Sequence, residues 1–174
     1  MDGAVTQMCY AGDLLVSERT GSEKTLWYRY DSSGNVIALT YESEIYMYLR
    51  NAQNDIIGLI DSTGKRVVSY KYDSWGRAVN ISGTMAATVG QKNPFRYRGY
   101  YFDAESGMYY LQSRYYDPEI RRFISADDVT VMIDSPMSLT DKNLYAYCDN
   151  DPVNKKDEEG ELPQFVLMGL IEVG

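Results

Sequence analysis

Along the first eighty residues, apolar and polar side chains alternate in short runs broken by aspartate and glycine. That is the period of half-buried strands. In Val68-Ser69-Tyr70-Lys71-Tyr72 the residues at 68, 70 and 72 share one face. Tyr46, Tyr48 and Arg50 alternate with Met47 and Leu49 in the same way, and Leu26-Trp27-Tyr28-Arg29-Tyr30 is another short strand. Ile56 to Ile60 is nearly continuous in apolar residues and reads as a more buried strand, with Gly58 marking a bulge or a close approach of backbone.

Between the strands a unit recurs: an aromatic or apolar residue, Asp, two variable residues, Gly, a polar residue, then an apolar strand. Its copies are Tyr30-Asp31-Ser32-Ser33-Gly34, Ile60-Asp61-Ser62-Thr63-Gly64 and Tyr72-Asp73-Ser74-Trp75-Gly76, with looser copies at Asp103 (Gly107) and at Asp117-Pro118. Asp at the start of a turn accepts hydrogen bonds from backbone N–H groups two residues on. Gly at the end supplies the positive φ that other residues resist. A type I turn followed by a left-handed glycine is a standard hairpin connection, so each copy predicts strand, tight turn and returning strand. The expected fold class is all-β, built of repeated antiparallel β-hairpins.

Three stretches break this pattern. Met85-Ala86-Ala87-Thr88-Val89 is either a short helix or an irregular loop, and Val131 to Lys142 with Pro136 reads as irregular. From Leu162 the chain is apolar without alternation, and Pro163 suits the first turn of a short C-terminal helix. Leu162–Gly174 reads as the start of a different segment, and the whole chain as a piece of a longer polypeptide.

Composition sharpens the picture. The chain has 174 residues, with Tyr 17 against Phe 4 and Trp 2. Tyrosine favours strands and joins an apolar ring to a polar hydroxyl, so it suits sheets with a wet face or a wet lining. The net charge of −8 argues against nucleic-acid binding through this region. No histidine is present, which removes the Ser-His-Asp and Cys-His constellations and the usual zinc and iron ligand sets. Acidic residues lack the spacing of a calcium loop, so no metal and no cofactor is expected. Cys9 and Cys148 make no disulfide framework. No apolar run approaches the roughly 20 residues of a membrane span, and the first residues lack the basic start and apolar block of a signal peptide.

From Asn93 onward the sequence resembles the Rhs-repeat-associated core. The residues that carry this are Arg96-Tyr97-Arg98-Gly99-Tyr100-Tyr101-Phe102-Asp103, then Glu105-Ser106-Gly107-Met108-Tyr109-Tyr110-Leu111-Gln112-Ser113-Arg114-Tyr115-Tyr116-Asp117-Pro118, then Arg122-Phe123-Ile124. Asn143-Leu144-Tyr145-Ala146-Tyr147-Cys148 and Asn150-Asp151-Pro152-Val153-Asn154 close the block. The upstream units resemble the YD repeats of the same family. The resemblance implies a β-hairpin strip that spirals into part of a hollow shell: residues 1–92 as shell wall, 93–160 as an irregular C-terminal plug, and 161–174 as the start of a variable cargo. It implies a secreted or surface-borne bacterial protein whose shell encloses, presents or delivers a C-terminal toxin. The implied partners are the rest of the shell and that toxin, together with an immunity protein or secretion machinery. A cell-surface adhesion module that binds a glycan or a protein is the alternative reading.

The resemblance also implies the one enzymatic chemistry that suits this chain, self-cleavage after the core by two aspartates. The matching positions are Asp127 and Asp157. Two carboxylates brought together do not both ionise easily, so one serves as acid and the other as base. The sequence departs from the family pattern: Asp128 and Val129 follow Asp127, while Glu158, Glu159, Gly160, Glu161 and Leu162 follow Asp157. Arg121 stands where the family has glycine. The competing reading makes Asp127 and Asp157 turn residues that cap backbone N–H groups. For Arg96, Arg98, Arg114 and Arg122, pairing with Asp103, Glu105 and Asp117 is expected ahead of ligand binding. For Tyr100-Tyr101 and Tyr109-Tyr110, cross-strand packing is expected ahead of a sugar-stacking platform.

Overall fold

The Asp-x-x-Gly units fold alike. In a computed structural model that describes residues 4–126, 143–157, 160 and 164–165, one oxygen of Asp31 accepts the N–H groups of Ser33 and Asn35, each at 2.9 Å. Asp61 accepts from Thr63 and Lys65 at 2.9 and 3.0 Å. Asp73 accepts from Trp75 and Arg77 at 2.9 and 3.0 Å. In each unit the glycine N–H donates to the aspartate carbonyl. Gly34, Gly64 and Gly76 take φ of 80°, 85° and 88°. These bonds to the ionised carboxylate hold Asp31 and Asp61 below the usual carboxylate range, led by the Asn35 amide for the first and the Thr63 hydroxyl for the second.

Eight strands follow one another as neighbours in a single sheet: β1 (Thr6–Ala11), β2 (Leu14–Thr20), β3 (Leu26–Tyr30), β4 (Val36–Tyr41), β5 (Glu44–Arg50), β6 (Ile56–Ile60), β7 (Arg66–Tyr72) and β8 (Ala78–Ser82). The pairings from β1 to β7 are antiparallel. Register shifts at Arg29/Tyr30 and Leu59/Ile60 stand just before the Asp31 and Asp61 turns, which is the bulge expected of a type I turn with a left-handed glycine. Gly58 serves close approach: a Cβ there would lie 2.6 Å from the Val68 carbonyl oxygen.

By contact density the chain divides into two units: Met1–Asn51, Ile56–Lys71 and Asn80–Asn93 in the first; Ala52–Asp55, Tyr72–Val79 and Pro94–Gly174 in the second. In the first unit, register lines up Tyr28, Leu39 and Tyr46, and likewise Tyr48, Leu59 and Val68. Leu39, Leu59 and Val68 are fully buried. The stretch left open between helix and loop is a π-helical turn, Ala86–Gly90, whose Gly90 N–H donates to Met85 at 3.0 Å. Buried polar groups there satisfy one another: Tyr48 donates to Asn93 at 2.7 Å, Asn93 to Tyr70 at 3.2 Å, and Tyr70 to the Gly90 carbonyl at 2.9 Å.

The second unit holds a four-stranded sheet in the order β12-β11-β10-β9, with β9 Tyr101–Asp103, β10 Met108–Leu111, β11 Arg114–Asp117 and β12 Arg122–Phe123. Its core is largely tyrosine: Tyr97, Tyr100, Tyr109, Tyr116 and Tyr147 pack with Leu111, Phe123 and Cys148, and Tyr72, Trp75 and Phe102 lean against them. Tyr116 and Tyr147 stack at 4.1 Å. Three hydroxyls of this cluster take three successive carbonyls of the Asp73 turn. Tyr97 donates to Ser74 at 3.1 Å, Tyr116 to Trp75 at 2.8 Å and Tyr109 to Gly76 at 2.8 Å. The Asp103 turn is one residue longer, with the Gly107 N–H on the Asp103 carbonyl at 2.8 Å. In the Asp117 turn Arg121 occupies the left-handed position at φ 62°, and its guanidinium lies 5.5 Å from the Trp75 ring centroid. Lastly, β13 (Lys155–Lys156) pairs antiparallel with β14 (Gln164–Phe165). Those last two residues are therefore in a strand, where Pro163 had suggested a helix; the rest of that tail lies outside the described residues.

Gly76 is the glycine that the tyrosine cluster needs. An added Cβ would stand 2.5 Å from the Tyr97 ring, whereas at Gly64 it would meet nothing within 4 Å. Gly64→Ala is expected to cost about 1–2 kcal/mol, for the left-handed backbone alone. Gly76→Ala is expected to cost about 1–3 kcal/mol more, for the clash. Urea unfolding of the two variants tests this difference, and equal losses would contradict it.

A second expectation concerns alkaline pH. Burial pushes the Tyr97 hydroxyl up to about 12, and raises Tyr109 and Tyr116 as well. An unfolded tyrosine ionises near pH ~10. A phenol that holds its proton more tightly when folded contributes stability in full below the unfolded pKa and loses it as pH rises towards the folded one. Stability is thus expected to fall from about pH 10 upward, with tyrosinate absorbance from the core tyrosines appearing together with unfolding. Tyrosinate absorbance that rose to completion at pH 10 in a chain still folded by circular dichroism would contradict it.

Candidate functional site

The described member of the aspartate pair, Asp157, is almost fully buried, at 1% exposure. It follows β13. The Gly160 N–H donates to its Oδ1 at 2.7 Å. It is also charge-paired: Nη2 of Arg114 lies 3.7 Å from its Oδ2. Asp127 lies outside the described residues.

Arg114 opens β11 and is the hub of this region. Its Nη1 donates to the Leu144 carbonyl at 3.0 Å, its Nε donates to the Gly160 carbonyl, and its guanidinium sits 3.7 Å from the Phe123 ring centroid. Ser113 also donates to the Gly160 carbonyl, at 2.9 Å. Gly160 takes φ 77°, and a Cβ there would stand 2.7 Å from Ser113 Oγ and 2.8 Å from the Leu111 carbonyl oxygen. Asp157 and Gly160 are therefore both held by Ser113 and Arg114 at the start of β11. Tyr100 donates to the Asp157 carbonyl.

Tyr100 and Cys148 face Asp157, and burial raises both: Tyr100 well above its ordinary value, Cys148 up to about 12. Both are neutral at pH 7, and the Arg114 guanidinium is a charge beside the carboxylate.

Arg98 meets a carboxylate that the sequence did not single out. Arg98 is buried at φ 55° and meets Asp55, whose Oδ1 accepts its backbone N–H at 3.0 Å and lies 3.8 Å from its Nε. It also donates to the Gln53 and Pro152 carbonyls. Arg96 lies 4.3 Å from the Phe102 ring centroid. Arg122 is opposite Asp117 in the β11–β12 register. The carboxylates expected to take these arginines close their own turns: Asp103 accepts from Glu105 and Ser106, and Asp117 from Glu119. The turn amides are nearer in sequence and claim those carboxylates first.

The tyrosine doublets divide between two faces, as strand geometry dictates. Tyr109 and Tyr116 are fully buried, whereas Tyr110 and Tyr115 are about 40% exposed and lie tilted against each other on the other face, ring centroids 5.1 Å apart. Tyr101 stands beside Tyr110 in the register and packs edge-on against Phe95. Gly99 takes φ 75°. Sequence reasoning missed Asp55, Ser113 and the Gly160 carbonyl. Only the glycine in the Asp157 segment hinted at them. Among the described residues no group of acidic or cysteine side chains is placed to hold a metal ion, and no helix is long and apolar enough to cross a membrane.

Comparison with known proteins gives this arrangement a family. Residues 3–153 match the model of the teneurin YD-shell. The chain is 39% identical over 163 residues to the tRNA nuclease WapA of Bacillus subtilis (strain 168), covering 92% of this chain and 7% of that protein. It is 39% identical over 77 residues to the toxin protein Tse5 of Pseudomonas aeruginosa, covering 44% of this chain and 5% of that one. Among solved structures, TcdB2-TccC3 without its hypervariable C-terminal region superposes with a TM-score of 0.65 at 21% identity, over 90% of this chain and 8% of that one. That likeness is one of fold. The chain spans about 7% of the length of the curated relatives it matches over most of its own length. With its repeated Asp-x-x-Gly hairpins and a match over residues 3–153, this chain belongs to the teneurin YD-shell family.

Proposed function

We propose that this chain is the terminal part of a YD-repeat shell that encloses and delivers a toxin carried beyond Gly174. The observation that carries this reading is the match of nearly the whole chain to a YD-shell module that makes up a small fraction of proteins named as nucleases and toxins. On this reading residues 1–92 are shell wall, 93–160 close its end, and 161–174 lead into the cargo. The partners are the remaining shell and the cargo, with an immunity protein and a secretion apparatus serving the parent protein outside this region. The parent acts outside the cell that makes it, secreted or at the surface. A sheet strip that closes on itself hides strand edges that would otherwise pair with other chains, and it keeps a toxic cargo from its own host.

A second reading is added by the surroundings of Asp157: the segment after the core is processed in place. A buried carboxylate held beside an arginine suits one member of an aspartate pair, with Asp157 as its base. Water adds to a peptide carbonyl carbon near Leu162 while Asp157 takes its proton. The C–N bond then breaks as the departing nitrogen receives a proton from the partner carboxyl, for which Asp127 is the matching position. The products are a new carboxylate and a new amino terminus.

The test uses the whole parent protein, extended through its native C-terminus. The cargo is expected to resist added protease until the shell is unfolded, and cargo digested at the rate of an unshielded segment would overturn the shell reading. Intact mass on the same protein, beside Asp157→Asn and Asp127→Asn, tests processing. The wild type is expected to be cut near Leu162 and both variants to stay whole.

A further inference from the structure

β10 and β11 present two tyrosines that the core does not use. Tyr110 and Tyr115 stand opposite one another in the register, 40% and 38% exposed, with ring planes tilted by 41°. Tyr101 follows opposite Tyr110 on β9 and is braced edge-on by Phe95, centroids 6.1 Å apart. Three rings thus form a row across β9, β10 and β11, spaced by the roughly 5 Å between neighbouring strands. Alternation along β9 and β11 puts Asp103 and Asp117 on this same face. The nearness of Asp103 shows in Tyr115: burial raises that hydroxyl above its ordinary value, and the charge of Asp103 raises it further.

The charges beside this row are unbalanced. Arg122 stands opposite Asp117 in the register, Arg77 reaches Glu119 at 3.6 Å, and Arg121 lies over the Trp75 ring. Among the described residues, Asp103 and Glu105 have no cation within ion-pair distance. Asp103 is held by the Glu105 amide and the Ser106 hydroxyl, which fix its carboxylate without neutralising it. The chain as a whole carries a net charge of −8. A tyrosine ring attracts a cation to its face through its quadrupole, and a carboxylate does so through its charge. Both features select a positive partner and disfavour an acidic one. A guanidinium fits best, because it stacks flat on a ring and keeps an edge of donors for a carboxylate. One cation covers one ring, so a row of three fits several cations carried on one chain. We propose that Tyr101, Tyr110, Tyr115 and Asp103 form a docking face for an extended arginine-rich peptide of a partner protein. This stands apart from the shell and processing readings above, and the failure of either leaves it intact.

The experiment follows the fluorescence anisotropy of a labelled, end-capped tri-arginine peptide titrated with the whole parent protein. Saturable binding is expected that weakens as salt is raised, is poorer for tri-lysine and is absent for tri-glutamate. Tyr110→Leu and Tyr115→Leu are each expected to weaken it about two- to fivefold. Tyr110→Phe keeps the ring and is expected to bind as wild type does. Asp103→Asn keeps an oxygen acceptor for its turn but loses the charge, and is expected to weaken binding by up to about fivefold with a flatter salt dependence. Trp27→Leu removes another exposed ring, in the first unit, and is expected to change nothing. Circular dichroism melts check each fold, and if Asp103→Asn does not fold the tyrosine variants decide the matter. Binding left unchanged when Tyr110 and Tyr115 are both replaced by leucine overturns the proposal. So does the absence of saturable binding to tri-arginine, whether a neutral oligosaccharide binds in its place or sedimentation shows two copies of the protein pairing through these tyrosines.

Discussion

Three tyrosine hydroxyls on three consecutive turn carbonyls are the constraint on which the second unit depends. A turn exposes its carbonyls outward, and burying them without partners costs about 1–3 kcal/mol each. Tyr97, Tyr116 and Tyr109 remove that cost at Ser74, Trp75 and Gly76, and their rings form the cluster around which β9 to β12 are built. Phenylalanine in those places would fill the same volume and leave the carbonyls bare. That accounts for three of the chain's 17 tyrosines. The tyrosines are needed as apolar bodies with a donor at the far end.

The same local turn is therefore used in two ways. At Asp31 and Asp61 the aspartate and glycine close a surface hairpin: those aspartates and glycines are exposed or nearly so, and a Cβ at Gly64 would meet only open space. At Asp73 the identical hydrogen bonds make a turn whose outer surface becomes core, and Gly76 is required twice, for its φ of 88° and for the Tyr97 ring lying against it. Nothing within the five-residue unit distinguishes the copies except Trp75, a large apolar residue where the others carry Ser33 and Thr63. That single substitution in the repeat signals which turn is buried.

What was legible in the sequence is what is local. The Asp-x-x-Gly hairpins form between residues at most four apart, so spacing alone reveals them. Strand faces followed from alternation, and Gly58 from its place inside an apolar run. The arginine partners were not legible, because Arg98 meets Asp55 across 43 residues of chain, and Arg114 meets Asp157 and Gly160 from a comparable distance. Nearer carboxylates at Asp103 and Asp117 looked like better partners. They are already engaged by their own turn amides. Arg121 shows the limit of reading a motif residue by residue: it departs from the family's glycine, yet adopts the left-handed backbone that glycine would have taken.

Arg98 and Arg114 share a logic that follows from the irregular chain they hold. Segments without ladder partners carry carbonyls that must be satisfied from elsewhere. Arg98 takes Gln53 and Pro152, Arg114 takes Leu144 and Gly160, and each buried guanidinium is balanced by a buried aspartate, Asp55 or Asp157. A buried ion pair by itself adds little to stability, since desolvation offsets its attraction. Its value here lies in geometry. One planar group with five donors joins two stretches of backbone and a carboxylate in a fixed relation. In the second unit these arginines do what strand pairing does in the first sheet, and Asp157 owes its defined place at the end of the core to one of them.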